Sequence, residues 1–117
     1  PSYDLGYNVV TMAEFKERGI KKVIDETLEK IGDNPVYITF DLDSLDASIA
    51  PAVSNIEPGF TGFTIDEAKE LIQSVKNKNV IGGDVVCLMP TKDQKNNITS
   101  MVAASIMFEI ISVIAYN

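Results

Sequence analysis

The sequence predicts an α/β fold: a three-layer α-β-α arrangement around a parallel sheet, of which this chain carries the C-terminal strands and helices. Three observations predict it. Strand-like and helix-like segments alternate in the order β-α-β-loop-α-β-α, the pattern of βαβ units. The central strand, residues 36–40, is β-branched or aromatic throughout and reads as covered on both faces, as in a parallel sheet flanked by helices. The last helix is apolar almost all round and offers more surface than three strands can cover, which marks part of a larger domain.

Each element has its own reason. Residues 7–11, after Gly6, read as a short strand, and 12–17 as a short helical turn closed by Gly19. Residues 20–31 form an amphipathic helix, because Ile20, Val23, Ile24, Thr27, Leu28 and Ile31 recur at spacings of three and four. Gly32, Asp33, Asn34 and Pro35 stop it before the central strand. Residues 47–62 are rich in Ala, Ser, Pro and Gly without periodicity, a long connection of the kind that carries function. Thr64 and Glu67 make a capping box that opens a helix to about residue 76, with Ile65, Ala68, Leu71, Ile72 and Val75 on one side.

A third strand spans 80–88. In it Gly82 and Gly83 admit the close approach of another backbone, and Cys87 lies level with Asp41. A polar loop leads to the final helix, 100–116, capped by Asn97 or Thr99. That helix approaches the length of a membrane span. Ser100, Ser105, Glu109 and Ser112 interrupt it, so a buried layer helix or subunit interface is expected and a membrane span is not.

The central strand runs straight into Asp41, Asp43 and Asp46. Residues two apart in a strand share a face, so Asp41 and Asp43 project together if the strand continues that far. Paired carboxylates at the end of an apolar strand repel and lose hydration, a conflict that a cation or a proton resolves. The blander reading is turn and cap chemistry, since Asp hydrogen-bonds neighbouring amides. Position favours the ligand: open parallel sheets bind beyond their carboxyl ends, and an all-oxygen pair suits Mg²⁺ or Mn²⁺.

Composition narrows the partners. Among 117 residues the net charge is −7, which argues against nucleic acid and anionic membrane surfaces. A single cysteine excludes an internal disulfide framework and fits a reducing, cytoplasmic setting. There is no histidine, so no Ser-His-Asp, Cys-His or His-containing metal site can be built from this chain alone. The chain starts at Pro1 and enters folded-looking sequence at once, with no signal or transit segment visible, and reads as a piece of something longer.

The run Phe40-Asp-Leu-Asp-Ser-Leu-Asp46 resembles the ureohydrolase superfamily of arginase, agmatinase, guanidinobutyrase and formiminoglutamase. The likeness continues through Ala50-Pro-Ala-Val-Ser54, Glu57-Pro-Gly59, Gly83 to Pro90, and Thr99 to Glu109. It covers residues 1–117 as the C-terminal portion of a single arginase-like domain.

The resemblance implies a hydrolase with two Mn²⁺ ions, in which activated water attacks a guanidinium or amidine carbon. Asp41 and Asp43 match metal ligands, Asp46 orients the loop beside them, and the other ligands lie outside this chain. Ser54 and Asn55 fall in the substrate loop, where the usual Gly-Thr-Gly-Thr-Pro is replaced by Ala52-Val-Ser-Asn-Ile56, and Ala47 stands where the family has Pro. Cys87 takes the place of a Glu that pairs with the substrate's cation.

A mostly neutral thiol cannot make that charge-assisted contact. Cys87 therefore reads as a plain strand residue in an inactive protein, as fitted to a less cationic substrate, or as a reactive or metal-adjacent thiol. The first two are favoured.

The expected partners are a small guanidino or formimino substrate, the remainder of the same domain, and further copies in a homo-oligomer. The alternative is a catalytically inactive arginase-like subunit of a larger assembly. An unrelated Mg²⁺-dependent receiver-like domain ranks last.

Overall fold

Strand β1 (Val36–Asp41) pairs in parallel with β2 (Val80–Val86), and this two-stranded ladder positions the site. The computed structural model describes residues 2–56, 59 and 61–116. The register places Tyr37 opposite Gly82, Thr39 opposite Asp84 and Asp41 opposite Val86, with an irregularity between Val36 and Tyr37. Both carboxyl ends therefore finish at one height.

The helices follow the local chemistry. Helix α1 (Met12–Arg18) starts at a Thr11–Glu14 capping box, and α2 (Ile20–Ile31) follows after Gly19. Helix α3 (Ile65–Gln73) opens on the Thr64–Glu67 box, where each side chain satisfies an amide of the other. Helix α4 (Ile98–Tyr116) is the longest, at 19 residues.

Helices α3 and α4 pack together, and α4 lies on β2. The core between them joins Phe40 and Val80 of the sheet to Ala68 and Ile72 of α3 and Ile106, Ile110 and Val113 of α4. Phe15 of α1 is buried edge-on against Phe63 with ring centroids 5.0 Å apart, and Lys16 pairs with Glu67 at 2.8 Å. Those contacts fasten α1 to the start of α3.

Four expectations change. Residues 7–11 form no strand: Tyr7 is exposed, these residues lack a ladder partner, and Thr11 is committed to capping α1. The sheet among the described residues thus has two strands. Only one face of β1 is covered, because this chain brings helices to that side alone. Tyr37 and Thr39 stay exposed on the other face, where both hydroxyls donate to Asp84, at 2.9 and 2.6 Å. Beside β1 an apolar groove of about 360 Å³, lined by Ile38, Phe40, Leu71 and Val75 among others, adjoins the open edge.

The third change is in the loop at 47–62. Within it Ala50, Ala52 and Val53 are buried, so this part of the connection is packed and not merely a surface link. The fourth concerns the cap of α4. Asn97 holds the cap position, its carbonyl accepting from the Met101 amide at 2.9 Å, but the side-chain cap comes chiefly from Asp93, which accepts from the amides of Thr99 (3.1 Å) and Ser100 (2.8 Å) and from the Ser100 hydroxyl (2.7 Å).

The Asp93 cap has a pH signature. Partial desolvation pushes its pKa up, but the hydrogen bonds from Ser100, Thr99 and Gln94 outweigh that and bring it to about 2, from 3.8. A lowered folded-state pKa contributes stability that is complete above about pH 4 and lost as pH falls through about 2. Acid titration of thermal stability is expected to show this loss in the intact protein, and the Asp93→Asn variant is expected to lack that part of the dependence.

Candidate metal centre

The segment after β1 alternates anchors with carboxylates. Leu42 and Leu45 are buried at 0% and 2% exposure, and they pin a short 3-10 turn, Leu42–Ser44, to the core. Asp41, Asp43 and Asp46 fall between and beside these anchors. Asp41 ends the strand, so Asp43 is brought to it by the turn and not by strand alternation. The turn is tied by the Asp43 amide donating to Asp41 Oδ1 at 3.1 Å and by the Ser44 hydroxyl donating to the Asp41 carbonyl at 2.7 Å. Cap chemistry and proximity of the two carboxylates thus coexist.

Cys87 follows the end of β2 directly, with φ of 73°. A carboxylate oxygen from each of Asp41 and Asp43 and the Cys87 sulfur all lie within 4.8 Å of one another, and all three residues are half-buried. Two donors bound to one ion at about 2.0–2.4 Å each lie no further apart than that, so the set fits a divalent cation. The Asp41 carboxylate accepting from the thiol, partial desolvation, and the charges of Asp41 and Asp43 together hold the Cys87 pKa above its ordinary value.

Asp46 does not belong to this trio. Its carboxylate accepts from the Ser48 hydroxyl (2.7 Å) and amide (3.0 Å), and those bonds, with the charge of Lys16, lower its pKa against desolvation. Its own amide donates to Phe63 O at 2.9 Å. The return of the loop passes so close that a Cβ on Gly62 would sit 2.5 Å from the Asp46 amide nitrogen. Ser54 and Asn55 are exposed, just after Val53, which bridges to Leu88 beside Cys87. Glu57 and Pro58 lie outside the described residues.

Thr99 ties the loop to this region and was not singled out from sequence except as a cap. Fully buried, its hydroxyl accepts from the Ala52 amide at 3.2 Å, and Ala52 O accepts from the Met89 amide at 2.9 Å. Thr99→Val is expected to strand the buried Ala52 N–H and lower stability by about 1–3 kcal/mol. Thr99→Ser keeps the acceptor and most of the stability. Urea denaturation of the intact protein reads the difference.

Solved structures define the class. The chain matches proclavaminate amidino hydrolase from Streptomyces clavuligerus with a TM-score of 0.89 and 33% identity, covering 97% of this chain and 38% of that one. Formimidoylglutamase from Bacillus subtilis gives 0.85 and 30%, covering 97% and 36%. The fold is therefore the arginase-like α/β fold of the ureohydrolase superfamily.

The sequence narrows this further: the model of the Arginase family matches residues 2–112, and the chain belongs to that family. It is 37% identical over 108 residues to an agmatinase of Escherichia coli O7:K1 (strain IAI39 / ExPEC), covering 92% of this chain and 34% of that protein. The chain spans about a third of the length of the curated relatives it matches. Nothing in these relatives supports the inactive-subunit reading. The family match also sets aside the receiver-like alternative.

Proposed function

We propose that this chain is the C-terminal portion of a Mn²⁺-dependent hydrolase that cleaves a guanidino or formimino C–N bond. The observation that carries the reading is the convergence of Asp41 and Asp43 at the carboxyl edge of a parallel sheet, in a chain of the Arginase family. The overall reaction is hydrolysis: water adds to the amidine carbon, the C–N bond to the amine breaks, and urea or formamide leaves with the amine.

Asp41 and Asp43 would hold two divalent ions together with ligands from the remainder of the same domain, for which the open edge and bare face of the sheet leave room. Ions bound there lower the pKa of coordinated water, supplying a nucleophile near neutral pH. Asp46 keeps the turn and loop in place, and the loop at 47–62, with Ser54 and Asn55 at its exposed bend, borders substrate entry. Cys87 cannot pair with a guanidinium as a carboxylate does, which favours a less cationic substrate.

The same reading makes the protein a cytoplasmic homo-oligomer without a membrane span. By length and composition α4 could cross a membrane. Its burial of Ile106, Ile110 and Val113, and the Gln73 amide that donates to Glu109 at 2.8 Å, support a layer helix.

The test is the metal content of the intact protein after Mn²⁺ loading, together with urea and formamide release from a panel of guanidino and formimino compounds. About two ions per chain and turnover of one class are expected. A protein that binds no divalent ion ends the proposal.

A further inference from the structure

We propose that the outward side of α4, which carries Met101, Phe108 and Ile111, is the contact surface for a second copy of this chain. This rests on the homo-oligomer reading above and deepens it by naming the surface.

Helical geometry fixes where that side points. Residues nine apart in an α-helix lie on opposite sides, since nine residues make about two and a half turns. Met101 is therefore opposite Ile110, whose side chain lies against Gly83 of the sheet, and Ala115 is opposite the fully buried Ile106. Phe108 shares the side of Met101 and Ala115. Helix α3 adjoins one flank of α4, where Gln73 bonds Glu109 and the Lys76 ammonium lies 5.5 Å from the Tyr116 ring centroid. On the other flank Met107 and Ile114 are already half-buried. Elements of one layer in an α-β-α domain meet along their flanks, and the side away from the sheet points out of the domain.

That side is composed like the centre of an interface. Met101, Phe108 and Ile111 are 60%, 68% and 56% exposed. Residues 98–116 hold a single charged group, Glu109, although 23% of the chain is charged, and Gln73 already engages it. Depletion of charge with Met and aromatic side chains marks interface cores.

The same composition selects the occupant. In a two-fold pair one patch faces itself, so on a chain of net charge −7 a patch bearing several carboxylates would set like charges together. This one does not. It also offers both a projection and a recess. Beside Phe108 lies a groove of about 420 Å³ lined by Ala104 and Ser105, with Lys69 and Glu109 giving its rim one charge of each sign.

The area suffices. Met101, Phe108, Ile111 and Tyr116, with the small residues between them, expose roughly 600–700 Å², at about 200 Å² for each large side chain. Two copies would then bury roughly 1,200–1,400 Å², inside the range of stable interfaces.

The test measures the mass of the intact protein by sedimentation velocity and the rate of Met101 oxidation by dilute peroxide, read by peptide mass spectrometry. The wild type is expected to sediment as an oligomer with Met101 protected. Phe108→Glu is expected to give a smaller species that still melts cooperatively and keeps its metal content, with Met101 oxidised about tenfold faster or more. Ser105→Arg, at an exposed polar position, is expected to do the same and decides the matter if Phe108→Glu fails to fold.

A monomeric wild type overturns this surface and the homo-oligomer reading together. An oligomer that keeps its mass in the folded variants overturns the surface alone and leaves that reading standing. Met101 still protected in a dissociated variant means that the rest of the domain covers it, which also overturns the surface.

Discussion

Asp41→Asn and Asp43→Asn, made singly in the intact protein, are each expected to weaken divalent-ion binding by about 100-fold or more and to take hydrolysis below detection. The magnitude follows from where the groups sit. Losing even a residue that only supports a ligand costs about 10–100-fold in metal affinity or activity, so losing a ligand costs at least the upper end. Asparagine keeps the shape and one oxygen but no charge, so the effect isolates the anion from the packing.

The two variants should differ in one respect. Asp41 Oδ1 also accepts from the Asp43 amide, so Asp41→Asn keeps an acceptor there but makes it neutral and weakens the turn, whereas Asp43→Asn leaves that charge-assisted bond unchanged. Calorimetric metal titration with parallel thermal melts separates these effects. If both variants bind Mn²⁺ like the wild type, the carboxylates serve only as turn caps and the centre lies elsewhere.

Much of this centre was legible because its determinants are local. Leu42 and Leu45 repeat at a spacing of three and carry the turn into the core, while Asp43 between them and Asp41 and Asp46 beside them stay half-buried. Helices α2 and α3 were legible for a related reason, since periodicity and a capping box act within one or two turns.

What escaped depends on distant partners. Residues 7–11 have strand-like composition, but a strand exists only where another offers its hydrogen bonds. The burial of Ala50, Ala52 and Val53 escaped because these three follow no sustained helical or strand period. Asp93 caps α4 from six and seven residues upstream, outside the usual window, because the 3-10 turn Pro90–Lys92 folds the chain back. The height of Cys87 was legible from strand lengths. The side it occupies was not, since alternation points the wrong way and the left-handed backbone reverses it.

The other large effect lies behind the site, where β2 meets α4. A Cβ on Gly83 would come within 2.7 Å of Ile110 Cγ2 and 2.8 Å of Ile38 O. Neither neighbour can yield cheaply. Ile110 is 1% exposed and locked in the core, and Ile38 O belongs to the backbone of β1, the strand that presents Asp41.

Gly83→Ala is therefore expected to cost about 3 kcal/mol, at the upper end of overpacking penalties, and Gly83→Val more. Ile110→Ala, which opens a cavity in place of a clash, is expected to cost about 2–5 kcal/mol. The double variant Gly83→Ala/Ile110→Ala separates the two contacts. Removing the isoleucine relieves the side-chain clash, so the combined loss should fall short of the sum by about 1 kcal/mol or more, the coupling expected of touching residues.

The clash with Ile38 O remains in the double variant, and it should keep β1 displaced. Metal affinity at Asp41 is then expected to drop in both variants carrying Gly83→Ala and to stay near wild type in Ile110→Ala alone. Equal affinity in all three would mean that the strand end is held by Leu42 and Leu45 without help from the sheet beneath it.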